Sequence, residues 1–136
     1  MIVVDASALA KYALREEGWK RVAGYLRRAR PLYSVDHLLK EVANALWKHA
    51  FLARVVDAET ALKLCEAIVR LAETRAIVLE SELKYLERAF AIAFEHGLTV
   101  YDALYVAQAE KLGELLTSDR EQGRVAEKLG VTVHLV

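Results

Sequence analysis

The sequence predicts an α/β domain with a mostly parallel central sheet of about four to five short strands flanked by about seven helices. Short apolar runs bounded by turn residues alternate with stretches of helical periodicity, the pattern of strand–helix–strand units. The first run, Ile2-Val3-Val4, shows no polar alternation and ends on Asp5, as suits a strand buried on both faces. No linker, low-complexity segment or internal repeat interrupts the 136 residues, so residues 1–136 read as one domain.

After that strand, Ser7 to Leu14 reads as a short helix, ended by Gly18, and a second helix runs from about Trp19 to Arg28. The single proline, Pro31, ends it, and Leu32-Tyr33-Ser34-Val35 makes the second strand. Asp36 is placed to cap a third helix, about His37 to Leu52, whose apolar stripe is Leu38, Leu39, Val42, Ala45, Leu46, His49 and Ala50. Asp57 caps a fourth helix, with Ala58, Ala61, Leu62, Cys65, Ile68, Val69 and Ala72 facing the core. Ala76 to Leu79 is a third strand, and a fifth helix spans about Ser81 to His96, stopped by Gly97. Leu98 to Val100 is an extended entry to a sixth helix, Tyr101 to Leu112, apolar nearly all round and therefore central. Leu115 to Ser118 is a fourth strand, Asp119 opens a last helix to about Leu129, and Val131 to Val136 closes the sheet.

Composition narrows the function classes. At 55% hydrophobic the chain can bury a core, yet no run approaches the ~18 apolar residues that span a bilayer. The N-terminus has an acid at position 5 and no basic region, so no signal peptide is expected. The lone Cys65 excludes an internal disulfide and reads as a buried small hydrophobe, so a cytoplasmic protein is expected. Net charge is zero, but residues 1–30 hold a basic surplus, and Arg15, Lys20, Arg21, Arg27 and Arg28 are phosphate-contact candidates. Trp19, Tyr25, Trp47 and Phe51 can stack bases, line a partner groove or fill the core, and the core is the first expectation. Few Asn, Gln and Met beside many Glu, Lys and Arg lean toward a thermophile.

The carboxylates carry the chemistry. Asp5 ends the first strand, Asp119 ends the fourth and Asp102 begins the sixth helix, so all three are candidates for the carboxyl edge of the sheet, where such folds bind ligands. Glu41 lies one turn into the third helix, on a flank with Asn44 and Lys48. Each acid has a structural alternative: an Asp can cap a helix, and Glu41 can pair with Lys48 at the surface. Clustered carboxylates repel unless a cation holds them, and hard oxygen ligands select Mg²⁺ or Mn²⁺. His37, His49, His96 and His134 lack zinc-ligand spacing, and no residue reads as a covalent nucleophile.

Four segments hold these acids: Val3-Val4-Asp5-Ala6-Ser7, Glu41-Val42-Ala43-Asn44-Ala45-Leu46, Tyr101-Asp102-Ala103-Leu104-Tyr105-Val106-Ala107 and Leu116-Thr117-Ser118-Asp119. In this order they resemble the four acidic motifs of PIN-domain ribonucleases, most closely the VapC-type toxins of toxin–antitoxin pairs. The resemblance covers the whole chain. It implies a metal-dependent endoribonuclease in which Asp5, Glu41, Asp102 and Asp119 bind Mg²⁺ or Mn²⁺ and a metal-activated water hydrolyses RNA, with no small-molecule cofactor. It implies that Ser7, Asn44 and Thr117 support the acids, and that a cognate antitoxin and a second copy of the chain are partners. Where some relatives carry a further acid, Glu121 and Gln122 stand here.

Other classes collect acids at strand ends. A receiver-type phosphoacceptor wants paired acids near the first strand and a late Lys, whereas Asp5 is followed by Ala6 and Ser7. An aspartyl phosphatase wants Asp-x-Asp, and the third position is Ser7. A non-enzymatic interaction domain of the same fold is the remaining alternative. An apolar groove is expected around Tyr12, Trp19 and Tyr25, whose short helices cannot bury every apolar side chain.

Overall fold

Strand β1 (Ile2–Val4) is the middle of a five-stranded, wholly parallel sheet in the computed structural model, which describes residues 1–136. Its neighbours are β2 (Leu32–Val35) on one side and β4 (Glu114–Thr117) on the other. β3 (Ile77–Glu80) and β5 (Thr132–Leu135) form the edges, giving the order β3-β2-β1-β4-β5. Val3, Val4, Leu115 and Leu116 are fully buried, because a strand covered by helices on both faces has no solvent side.

Seven α-helices cover the sheet. They are α1 (Ala6–Ala13), α2 (Trp19–Arg28), α3 (His37–Trp47), α4 (Ala58–Glu73), α5 (Leu86–His96), α6 (Val100–Leu112) and α7 (Arg120–Lys128). The chain builds β2 and β3 outward from one side of β1, then crosses back to lay β4 on the other. The strand order therefore reverses between β1 and β4, the place where a crevice opens at the carboxyl edge of such a sheet. α6 is the central helix. Every residue from Ala103 to Ala109 is buried, in keeping with its all-round apolar sequence.

Several expectations are corrected. α3 passes into a π-helical turn, Lys48–Leu52, in place of continuing to Leu52 as α-helix. The fifth helix is divided: a 3-10 turn, Glu82–Lys84, precedes α5. Asp36 does not cap α3; its Oδ1 accepts from the Glu82 backbone N–H at 3.0 Å and ties α3 to the start of that turn. α6 starts at Val100, one residue before the expected Tyr101, and Thr99, in the extended entry, is its cap. α4 lies at the edge of the fold, so only Ile68 of its supposed core face is fully buried, and Leu62 is 60% exposed.

Trp47 and Phe51 also leave the core. They are exposed and stack on each other, with centroids 5.3 Å apart. Beside them an apolar groove of about 300 Å³ runs between α3 and α4, lined by Leu46, Trp47, Phe51, Leu62 and the partly buried Cys65. Leu83, Leu86, Phe90 and Phe94 are a second exposed apolar set, on the 3-10 turn and α5. Around Tyr12 the opening is smaller, about 150 Å³, and Arg15 covers the Tyr12 and Trp19 rings. Tyr25 is engaged by His134, whose Nδ1 lies 3.1 Å from its hydroxyl. The larger unpartnered apolar surfaces are thus on α3–α4 and α5, away from the α1–α2 pair. No helix is long and apolar enough to cross a membrane.

Candidate active site

Asp5 follows the last residue of β1, and its backbone N–H continues the ladder by donating to Leu116 O at 3.1 Å. Its side chain is buried and accepts from the Ala8 N–H at 2.9 Å, which caps α1. Ser7 Oγ donates to the same carboxylate oxygen at 2.8 Å, and Thr117 Oγ1 donates to the other. Thr117 Oγ1 in turn accepts from the Asp119 backbone N–H at 3.0 Å, and Ser7 Oγ accepts from the Ser118 N–H at 3.0 Å. Ser7 and Thr117 thus lock the ends of β1 and β4 together through one carboxylate.

Asp119 caps α7 by accepting from the Gln122 N–H at 3.1 Å. Asp102 caps nothing, since its own backbone N–H donates to Thr99 Oγ1. Glu41 reaches across from α3. Tyr105 Oη donates to Glu41 Oε1 at 3.1 Å, and His37 Nε2 lies 2.9 Å from the same oxygen without hydrogen-bond alignment. The alternative in which Glu41 pairs with Lys48 at the surface does not hold: no ion pair joins them. Asn44 is exposed and bonds to none of the four acids, unlike Ser7 and Thr117.

All four acids line one cleft of about 180 Å³, together with Ser7, Tyr105 and Gln122, and no Lys or Arg lines it. The electrostatics follow. Burial pushes the Asp5 carboxyl up to about 7, against the bonds from Thr117, Ala8 and Ser7, and the Asp119 charge adds to the rise. Asp102 is also raised, first by burial and then by the charges of Glu41 and Asp119. Burial and the charges of Glu41 and Asp5 push the Tyr105 hydroxyl up, so it remains a donor.

A hard divalent cation fits this donor set. The cleft gathers four carboxylates, two of them with raised pKa values, and offers no cation of its own. No three of them stand at direct ligand spacing. A hard divalent cation here would therefore reach some of the four through bound water.

Sequence reasoning missed three participants. Tyr105 and His37 both hold Glu41, a relation between helices distant in sequence. Gln122 is buried against the cleft, and its Oε1 has no partner. Glu121, by contrast, is exposed and paired to Arg124. The basic candidates fall elsewhere. Arg21 donates to Leu135 O, and Arg15 lies past the far end of α1, ~15 Å from Asp5 along its axis.

The family model described as PIN domain matches residues 2–128. Ribonuclease VapC3 from Pyrobaculum aerophilum is 41% identical over 133 residues, covering 97% of both chains. Exonuclease VapC9 from the same organism is 35% identical over 120 residues, covering 88% of this chain and 80% of that one. The crystal structure of PAE2754 from Pyrobaculum aerophilum superposes with a TM-score of 0.68 at 28% identity, covering 98% of this chain and 92% of that one.

Proposed function

This chain belongs to the PIN-domain family and is of the VapC type, and we propose that it is a Mg²⁺- or Mn²⁺-dependent endoribonuclease, the toxin of a toxin–antitoxin pair. The observation that carries the reading is the cleft itself, four carboxylates at the topological switch point with no basic residue among them. Such a cleft repels a phosphodiester by itself and becomes complementary to one once a cation is held. Asp5, Glu41, Asp102 and Asp119 would hold it. When bound, the ion supplies Lewis acidity to a water and to the phosphate oxygens.

The protein's own part is positioning. Thr117, Ser7 and the Ala8 N–H fix both oxygens of Asp5, so its carboxylate cannot rotate. Tyr105 holds one oxygen of Glu41 from α6. Asp102 and Asp119 carry fewer restraints: Asp119 accepts one bond, from the Gln122 N–H, and the backbone N–H of Asp102 is taken by Thr99. A receiver-type phosphoacceptor needs a lysine at the acids, and none lines the cleft.

The partners follow from the VapC relationship and the exposed apolar surface. The α3–α4 groove and the α5 stripe are available to an antitoxin and a second copy, since soluble chains rarely leave such patches uncovered. Size-exclusion chromatography with light scattering should return a dimer, and a strict monomer at all concentrations would remove that partner.

The nuclease reading is tested with a circular single-stranded RNA, which an exonuclease cannot enter. Wild type should open it with Mg²⁺ or Mn²⁺ and not with chelator. Asp5→Asn, Asp102→Asn and Asp119→Asn should each lower the rate by ~10²-fold or more. Undiminished cleavage by Asp5→Asn or Asp102→Asn would overturn the assignment.

A further inference from the structure

Next to the acid cleft lies a second basin, about 600 Å³, that shares Glu41, Ala45 and Asp102 with it. The acid cleft has little room beyond a phosphate and its ion, whereas the basin is within the ~300–1,000 Å³ usual for small-ligand sites. Its wall is unlike the rest of the surface. Tyr101 and His37 stack with centroids 5.0 Å apart and planes 14° from parallel. His37 is buried, yet Tyr101 is 60% exposed, so one face of its ring rests on a fixed support and the other is open. Lys40, Asn44 and Lys48 line the same basin from successive turns of α3 and the π-helical turn. Lys48 has no acidic partner, and the Asn44 amide makes no bond within the chain; Lys40 approaches only Glu82, at 3.8 Å and exposed.

We infer that this basin seats the nucleotide flanking the cleaved bond of a single-stranded RNA, its base on Tyr101 and its phosphate on Lys48 and Lys40. The inference rests on the nuclease reading above. An aromatic face takes any unpaired base, and a base held in a duplex has no free face to offer. The His37 stack orients the Tyr101 ring beforehand, so less side-chain freedom is lost on binding. The two lysines supply the positive charge that the acid cleft lacks, next to the place where the backbone must pass. Asn44 offers donors and an acceptor to the edge of the base or to a ribose hydroxyl.

The test uses cleavage-deficient Asp5→Asn protein with Mg²⁺ and a short single-stranded RNA carrying one 2-aminopurine. Stacking on Tyr101 should quench the fluorophore. Adding Tyr101→Ala should abolish the quench and weaken binding roughly tenfold, while Tyr101→Phe should preserve both. Lys48→Gln should lower the slope of log affinity against log salt by ~0.7, the signature of one lost phosphate contact on a single strand. Unchanged quench and affinity in Tyr101→Ala, with wild type still cleaving RNA, would overturn the basin assignment and leave the nuclease reading intact. If wild type neither binds nor cleaves RNA, the nuclease reading fails and the basin assignment with it.

Discussion

Thr99, and not Asp102, caps α6: the Asp102 backbone N–H donates to Thr99 Oγ1 at 3.2 Å, which leaves the Asp102 carboxylate without a structural duty at the helix start. Asp119 differs, since its carboxylate is the cap of α7. The two acids therefore separate metal binding from capping. Asp102→Ala should keep or raise the melting temperature in chelator, because it removes a like charge from the cleft. It should also lose most of the stabilisation that Mn²⁺ gives wild type, since binding to the native state stabilises by mass action. Asp119→Ala should cost ~1 kcal/mol in chelator through the lost cap. Thermal melts of both variants with and without Mn²⁺ check this. Equal destabilisation of Asp102→Ala in both conditions would contradict it.

The pH dependence of the metal-free protein follows from Asp5. Its folded-state value, about 7, lies above the ordinary 3.8, so the native state binds the proton more tightly than the unfolded chain does. Stability from this group is full below about 4 and is lost as pH rises toward about 7. Asp102 acts in the same direction. Urea midpoints in chelator should fall across that interval, and Asp5→Asn should flatten the fall. A saturating divalent cation should also flatten it, because the ion favours the charged carboxylates.

Glu80 contributes with the opposite sign and at lower pH. Burial works to raise its carboxyl, but bonds from Lys84, Tyr85 and Gln108 outweigh this and hold it at about 2. Tyr85 Oη donates at 2.5 Å and Gln108 Nε2 at 3.0 Å to the same oxygen. Its stability is present above the ordinary 4.5 and lost as pH falls toward about 2. Glu80→Gln should destabilise at neutral pH and show a weaker acid transition than wild type.

Tyr105 is a positioning residue for Glu41. Tyr105→Phe should cost ~1 kcal/mol of stability, the usual net value of one hydrogen bond. It should lower kcat for RNA cleavage more than it raises KM, because Glu41 stays in the cleft but turns freely. In a double-mutant cycle with Glu41→Gln the effects on kcat should be strongly non-additive. Simple additivity would mean that Tyr105 acts through something other than Glu41.

Much of this was legible in the sequence for a physical reason. Strands buried on both faces leave unbroken apolar runs, so β1, β2 and β4 were readable to within a residue or two, and α6 declared its central place by being apolar all round. The four acids stood out because each ends a strand or opens or flanks a helix, and the structure brings them to one cleft. What stayed hidden depends on distance in space. Asp36 looks like a cap, and only the fold reveals the Glu82 N–H that takes its carboxylate. Periodicity marked an apolar face on α4 but could not say whether anything covers it, which is why Leu62 was misplaced; Trp47 and Phe51 lie off the α3 stripe, and only their large apolar side chains argued for the core. The basic surplus at residues 1–30 drew attention from Lys40 and Lys48, the lysines that actually border the acids.

The bond from Thr117 to Asp5 joins residues 112 positions apart. Strand β4, which carries Thr117 and leads to Asp119, is laid beside β1 only after six helices have been made. During synthesis the last stretch of a chain is still inside the ribosome while its beginning is already folding. β1 therefore emerges with its carboxylate long before Thr117 and Asp119 are available to complete the cleft. A chain that has not yet reached β4 holds Asp5, Glu41 and Asp102 but lacks Asp119 and the Thr117 clasp, so its cleft stays incomplete until this strand is laid down.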